Sequence, residues 1–250
     1  MIGWRTPVVL AAACLWVAPA LAQIPPRNGC GDCHLATPAA PGKDHVFDWD
    51  RSPHGRNNVT CSACHGGNPG TFERFQAHAG IIGPADPKSP LSSKNLPGTC
   101  GSCHVGPFVA FQNSRHYELL QSGDNRGPTC TTCHGDTDGR LLSAKALGAQ
   151  CAHCHGPNEV APRAGRVQHV RELYAGLGAL RDQLKLARTL IKRVDDKTRR
   201  AALQSQLEQA EVPVTRAVNA GHAFVYDDLV SNLAVAQQRA DVLLSRLANR

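Results

Sequence analysis

The sequence has little methionine and no long apolar run. Met1 is the only methionine, and no segment approaches the ~20 consecutive apolar residues that a membrane-spanning helix requires. The nearest candidate is the short stretch from Val8 to Val17, flanked by Pro7 and Pro19. These absences predict a mature chain that is soluble and has no methionine thioether to offer as a metal ligand.

The N-terminal residues 1–22 have the features of a secretory signal peptide. Arg5 supplies a positive charge, the apolar stretch follows it, and Ala20-Leu21-Ala22 forms a small-x-small cleavage site. Cys14 raises a lipoprotein interpretation, but the three alanines before it are a poor lead-in. We therefore expect cleavage after Ala22 and a periplasmic or cell-exterior protein.

The cysteines leave no thiol available for a disulfide framework. The sequence has 11 cysteines, and removal of Cys14 with the signal leaves ten, all in Cys-x-x-Cys-His strings. The five strings are Cys30–His34, Cys61–His65, Cys100–His104, Cys130–His134 and Cys151–His155, with second cysteines Cys33, Cys64, Cys103, Cys133 and Cys154. A secreted protein with this many cysteines would otherwise be expected to form disulfides.

This spacing is that of covalent haem c attachment. Two thiols separated by two residues add to the two vinyl groups of one haem, and the next histidine becomes the proximal iron ligand. Structural zinc would need cysteine pairs grouped by fours, which five pairs do not allow. A thioredoxin-like pair needs no following histidine. We therefore predict five covalently bound haem c groups, with proximal ligands His34, His65, His104, His134 and His155.

Seven further histidines could supply the opposite, distal face of each iron. His153 is badly placed, because it lies between two haem-bound cysteines. The six remaining candidates for five positions are His45, His54, His78, His116, His169 and His222. This number is sufficient for every haem to be ligated by two histidines.

Two of these histidines belong to an internal repeat. Trp49-Asp-Arg-Ser-Pro-His54 and Phe111-Gln-Asn-Ser-Arg-His116 share an aromatic-x-x-Ser-x-His arrangement, and each is followed by a Cys-x-x-Cys-His-Gly string. Here the sequence resembles multihaem cytochromes of the cytochrome c nitrite reductase and hydroxylamine oxidoreductase lineage. The resemblance implies that His54 and His116 are distal ligands.

The same resemblance extends to two more histidines. The segment from His78 to the third string is similar to the lineage's linker between successive haems, and Gly221-His222-Ala-Phe-Val-Tyr226 resembles the region that opens its last helix, with alanine in place of an asparagine. It implies that His78 and His222 are ligands. His45 and His169 remain alternatives for the last position.

Composition divides the chain into two parts. Residues 23–160 are rich in Gly and Pro, contain all five strings and show no sustained hydrophobic period. We therefore expect a cytochrome domain with little regular structure, in which the haems form the core and short helices end in each histidine.

Residues 166–250 have apolar residues at alternating steps of four and three. They predict a long antiparallel helical hairpin, with a turn at Asp195–Thr198 and Pro213 starting or kinking the second arm. The fold class is mainly α.

The positive charge does not indicate nucleic-acid binding. The formal net charge is +7; loss of Arg5 leaves +6, and ten haem propionates would bring the reduced protein to about −4. Basic residues cluster at the hairpin turn, namely Lys192, Arg193, Lys197, Arg199 and Arg200. No aromatic platform accompanies them, so we expect a solvated turn or a docking patch for an acidic partner.

Two functional classes remain. The first is an electron-transfer cytochrome, with redox proteins, a membrane respiratory complex or a second copy of the chain (through its C-terminal helices) as partners. The second is a multihaem oxidoreductase acting on a small nitrogen or sulfur oxyanion, which needs an open iron position. The resembled nitrite reductases carry lysine in place of one proximal histidine, whereas all five strings here end in histidine. We therefore favour electron transfer, with no catalytic residue.

Overall fold

The computed structural model describes residues 28–122, 127–135, 142–159 and 162–249. The predicted signal peptide and its Cys14 lie outside the described residues. Within these ranges the chain is helical and contains no strand, and the mainly α prediction is confirmed.

The first part consists of short helices. They are α1 (Gly29–Ala36), α2 (Lys43–Arg51), α3 (Pro53–Arg56), α4 (Ser62–His65), α5 (Arg74–Ala77), α6 (Leu96–Gly101), α7 (Val105–Gln112), α8 (Arg115–Gln121), α9 (Cys130–His134) and α10 (Ala144–His155). The C-terminal part consists of three long helices, α11 (Ala164–Ile191), α12 (Lys197–Ala223) and α13 (Tyr226–Ala248).

The two parts differ in how they bury apolar side chains. Before residue 160, the buried apolar residues of the described ranges are Val46, Phe111, Leu120 and Leu147. Several larger apolar side chains there face outward instead, with Phe72 73% and Phe75 89% exposed. A chain of this length cannot be stabilised by so small a core. This agrees with the expectation that a large apolar cofactor supplies the core.

The long helices bury their apolar stripes against one another. Leu180 of α11, Leu207 of α12 and Leu243 of α13 are completely buried in one shared cluster. Alanines of α11, α12 and α13 lie in the same cluster, and small residues at these positions let the helices approach closely. The stripe predicted from the heptad spacing is therefore the internal core of these helices.

The predicted hairpin contains one additional break. Asp196 caps α12 by accepting a hydrogen bond from the Arg199 amide at 2.8 Å, which places the first turn where the sequence predicted it. Phe224 then ends α12 in the left-handed region, with φ of 58°. The second arm is therefore two antiparallel helices, and α11 and α12 are each about 40 Å long at about 1.5 Å per residue.

Pro213 lies inside α12 and does not start it. A proline has no N–H to donate, so the carbonyl four residues earlier loses its helical partner. That carbonyl belongs to Gln209, and it accepts a hydrogen bond from Arg239 Nη1 of α13 at 2.7 Å. The arginine thus satisfies the group that the proline leaves unpaired.

Arg239→Ala is expected to lower the free energy of unfolding by about 0.5–1 kcal/mol, because this bond is partly solvated. The loss should nearly disappear when position 213 carries alanine, whose N–H can bond the Gln209 carbonyl. Chemical denaturation of the four holoproteins, followed by far-ultraviolet circular dichroism, measures this cycle. An equal loss in both backgrounds would contradict the pairing.

Two of the long helices pack against short helices of the first part. α12 packs on α7, and α11 packs on α10. None of the described helices is long and apolar enough to cross a membrane. The end of α12 that carries His222 lies against α7, since a side chain at Gly106 of α7 would lie 3.8 Å from Asn219 Oδ1.

Candidate haem-binding site

Each attachment string lies on or next to a helical turn. Residues spaced i, i+3 and i+4 share one helix face, so both thiols and the following histidine of a string point to the same side. α4, α9 and α10 end at His65, His134 and His155. The first and third strings differ from the expected pattern, since α1 continues to Ala36 and His104 precedes α7.

Glycine follows the histidine in three strings for a steric reason. Gly66 and Gly135 have φ of 74° and 73°, a conformation that side chains rarely adopt. A side chain at Gly156 would meet the Ala152 carbonyl oxygen at 2.8 Å. Each glycine therefore lets the chain turn away immediately after the proximal histidine.

The ten described cysteines form no disulfide with one another. Burial raises the pKa of most of them, as for Cys133, whose pKa reaches about 11 with a further contribution from the nearby Cys151. Such thiols are weak metal ligands without deprotonation. No group of three or more His, Cys, Asp or Glu side chains in the described ranges is arranged to hold a bare metal ion.

Cysteines of consecutive strings are neighbours. The charge of one raises the pKa of the other for Cys30 with Cys61, Cys64 with Cys100, and Cys133 with Cys151. The thiols of Cys100 and Cys130 share a hydrogen bond, which raises the pKa of Cys100 and lowers that of Cys130. The five strings are thus juxtaposed in the order in which they occur along the chain.

The repeated Ser-x-His motif positions its histidine by helix capping. Ser52 is completely buried and accepts a hydrogen bond from the Gly55 amide at 3.1 Å at the start of α3. Ser114 is also buried and accepts from the Tyr117 amide at 3.1 Å at the start of α8. A capping serine fixes the direction of the first turn. The histidine two residues later is thereby held in one orientation.

Five of the six candidate distal histidines each lie opposite one proximal histidine. The pairs, with ring-centroid distances and interplanar angles, are His34 with His78 (6.0 Å, 33°), His45 with His65 (5.8 Å, 84°), His54 with His104 (6.0 Å, 63°), His116 with His155 (5.8 Å, 76°) and His134 with His222 (6.1 Å, 3°). Each proximal histidine occurs in one pair.

This separation fits two imidazoles bound to opposite sides of one metal ion. With metal–nitrogen bonds of about 2.0 Å and about 1.1 Å from each nitrogen to its ring centre, the centroids should lie about 6 Å apart. Rings in direct van der Waals contact would lie closer when stacked. The observed distances therefore match the requirement for a haem iron held between two histidines.

In several of these histidines, the ring nitrogen that would not bind iron makes a hydrogen bond that orients the ring. The Nδ1–H groups of His34, His78 and His222 donate to the carbonyl oxygens of Pro41, Arg74 and Val218, at 3.0, 2.7 and 2.8 Å. A backbone carbonyl can only accept, so Nδ1 carries the proton and Nε2 is free to bind metal.

His116 is held differently. Its Nδ1 atom is buried and has no hydrogen-bond partner within the described ranges. The Phe224 ring lies against the imidazole, with centroids 4.0 Å apart. Burial lowers the pKa of His116, and the nearby His155 lowers it further, which favours the neutral ring that metal binding requires.

Two histidines are placed elsewhere. His169 is exposed and lies against Tyr226, with ring centroids 6.5 Å apart. His153 is exposed between its two cysteines. Of the two alternatives left open for the last position, the structure places His45 opposite a proximal histidine and His169 beside a tyrosine.

The sequence did not predict that Phe224 and Tyr174 lie beside the candidate haem sites. Burial raises the pKa of Tyr174 to about 12, and the thiols of Cys133 and Cys151 contribute, so this phenol lies next to the fourth and fifth strings. A side chain at Gly221 would meet the Tyr174 hydroxyl at 2.6 Å. The one sequence feature that indicated a close approach at this point was Gly221, a glycine within the heptad stripe.

Two sequence families match parts of the chain. Residues 87–163, which contain the last three strings, match the family of cytochrome c7 and related cytochrome c. Residues 19–66, which contain the first two, match the family of cytochrome c554 and c-prime. No curated protein and no solved structure gives a significant match. The two family matches support a multihaem c-type cytochrome, in which haem c is covalently bound.

Proposed function

We propose that this protein is an extracytoplasmic pentahaem cytochrome that carries electrons between redox partners. The five histidine pairs carry this proposal, because each attachment string has a second imidazole at the distance that a shared iron requires. A haem c iron supplies one-electron chemistry by alternating between the ferric and ferrous states.

The residues proposed to hold the cofactors are those of the strings and pairs. The thioether residues are the ten string cysteines, and the ligand pairs are those formed by His78, His45, His54, His222 and His116 with the first to fifth strings in order. The aromatic-x-x-Ser-x-His repeat supports the relationship to the nitrite reductase and hydroxylamine oxidoreductase lineage, since both of its histidines take part in pairs.

The juxtaposition of consecutive strings supports a linear route for electrons. Cysteines of neighbouring strings lie close enough to shift one another's pKa, from the first string to the fifth. We propose that electrons enter and leave near the two ends of this series, beside the first string and beside the fifth. Two histidines for every iron leave no open position for a substrate, which supports a carrier over an oxyanion reductase or oxidase.

The basic turn between α11 and α12 is a poor docking site for a redox partner. Arg199 donates to the carbonyl oxygens of Arg246 and Asn249, and Arg200 donates to that of Val194, so two of its five cations satisfy helix ends. Lys197 is 25 residues from His222 along α12, about 37 Å at about 1.5 Å per residue. Redox proteins or a membrane respiratory complex would therefore dock at the haem-binding half.

A second copy of this chain remains a proposed partner through the C-terminal helices. Their heptad stripe is used internally, so such contact would use the outer faces, where Leu186, Val212 and Val242 are about half exposed. We propose no nucleic-acid partner.

Mass and spin state test this function together. The mature holoprotein should have the mass of the chain from residue 23 plus five haems, and no free thiol. Its ferric spectrum should be entirely low-spin and unchanged by cyanide or nitrite at modest concentration. Four or fewer haems would contradict the pentahaem count, and one high-spin ferric haem would favour the enzyme instead.

A further inference from the structure

The end of α12 supplies the proposed distal ligand of one haem site, and the turn that follows it contacts the proposed distal ligand of another. His222, near the end of α12, lies opposite His134 of the fourth string. Phe224, two residues later, lies against His116, which is opposite His155 of the fifth string. Phe224 holds a left-handed φ of 58°, which is uncommon for a residue other than glycine and more favourable for asparagine. The backbone therefore accepts strain where the aromatic ring meets His116.

The imidazoles of His222 and His116 have different surroundings. His222 donates its Nδ1–H to the Val218 carbonyl at 2.8 Å, and His78 at the first string does the same to the Arg74 carbonyl at 2.7 Å. The Nδ1 atom of His116 is buried without a partner in the part of the chain that the structure describes, and we assign Nε2 as the nitrogen that would bind iron, as at His222 and His78. Its ring is positioned by packing against Phe224 instead.

This difference affects electron donation to the iron. An imidazole that donates a hydrogen bond from its far nitrogen becomes more basic and a stronger donor, which stabilises the ferric state. An imidazole whose far nitrogen is buried without an acceptor lacks this contribution. It favours the ferrous state by comparison.

We infer that Phe224 is a positioning residue that keeps the His116 imidazole dry and without a hydrogen bond, and that it thereby raises the reduction potential of the haem on the fifth string. This inference rests on the proposed ligand pairs. The distal ligand of the fifth haem would then make that haem easier to reduce than the distal ligands of the first and fourth haems make theirs. Electrons would then collect at the end of the series formed by the fifth string.

The test compares two substitutions of Phe224 in the holoprotein. Phe224→Asn keeps a residue that accepts the left-handed turn but removes the ring, so water or the amide can accept the Nδ1–H of His116. Phe224→Tyr keeps the ring. Redox titrations monitored by electron paramagnetic resonance should show the potential of the fifth haem lowered in the asparagine variant, with the other four unchanged and the tyrosine variant close to the parent.

Two further variants make the result decisive. Val225→Asn introduces the same side chain one residue later and should leave all five potentials unchanged. His116→Ala identifies the fifth haem, because its low-spin signal should be replaced by a high-spin one. If His116→Ala leaves every haem low-spin, the ligand assignment is wrong. If His116→Ala opens the fifth haem but Phe224→Asn shifts nothing, or shifts all five, the role of Phe224 is wrong and the ligand pairs stand.

Discussion

Replacing His222 with alanine is expected to convert one of the five ferric haems from low-spin to high-spin. The imidazole of His222 lies 6.1 Å from that of His134 and is oriented by the Val218 carbonyl. Without it, the iron on the fourth string would have one protein ligand, its potential should rise, and cyanide should bind to it. The other four haems should be unaffected, because their thioether bonds and ligand pairs do not involve His222.

The signal lost in this variant should be the most rhombic one. The two rings of the fourth pair are almost parallel, with an interplanar angle of 3°. Parallel imidazoles donate into the same iron d orbital and split the pair of orbitals strongly, whereas perpendicular rings act on both equally. The pairs at 84° and 76° should therefore give the most anisotropic signals, with the largest g values.

Electron paramagnetic resonance of the oxidised holoprotein measures both effects. Asn219→Ala, on the same helix, is the control and should retain five low-spin signals. If His222→Ala also retains all five, then His222 is only a polar residue of α12, and the link between the C-terminal helices and the fourth haem is wrong.

Alanine substitutions of His45 and His169 are expected to give opposite results. His45 lies 5.8 Å from His65, so His45→Ala should leave the second haem with one axial ligand and produce a high-spin, cyanide-binding site. His169 is exposed beside Tyr226. His169→Ala should keep every haem low-spin and change the free energy of unfolding by no more than about 0.5 kcal/mol.

Visible and electron paramagnetic resonance spectra of the two variants, each with and without cyanide, distinguish them. A high-spin signal in the His169 variant, together with none in the His45 variant, would reverse the assignment of the second haem. The two substitutions remove the same side chain, so each serves as the control for the other.

The attachment strings could be predicted from sequence because their chemistry is local. A Cys-x-x-Cys-His string contains both thiols and the proximal ligand within five residues. The Ser52 and Ser114 caps are local too, and explain why the aromatic-x-x-Ser-x-His repeat was recognisable. The C-terminal helices followed from heptad spacing, which reports directly on a buried face.

The pairing of distal ligands could not be predicted, because it depends on tertiary structure. His78 lies between the second and third strings but faces the first, and His116 lies between the third and fourth but faces the fifth. Nothing near His45 or His169 in the sequence separates the two. The division of the second arm at Phe224 was also missed, since a left-handed phenylalanine has no sequence signature.

The proposed ligand pairs would set an order in which a newly made chain can complete its haem sites. His45 and His54 precede the strings that they face, so the second and third sites have both ligands as soon as those strings emerge. The first site lacks its second ligand until His78 has emerged, and the fifth site has both ligands once His155 has emerged. The fourth site waits for His222, more than 80 residues beyond His134. A chain cut short anywhere in the C-terminal helices before His222 would therefore carry one reactive, incompletely ligated iron, a chemical mark by which unfinished molecules differ from finished ones.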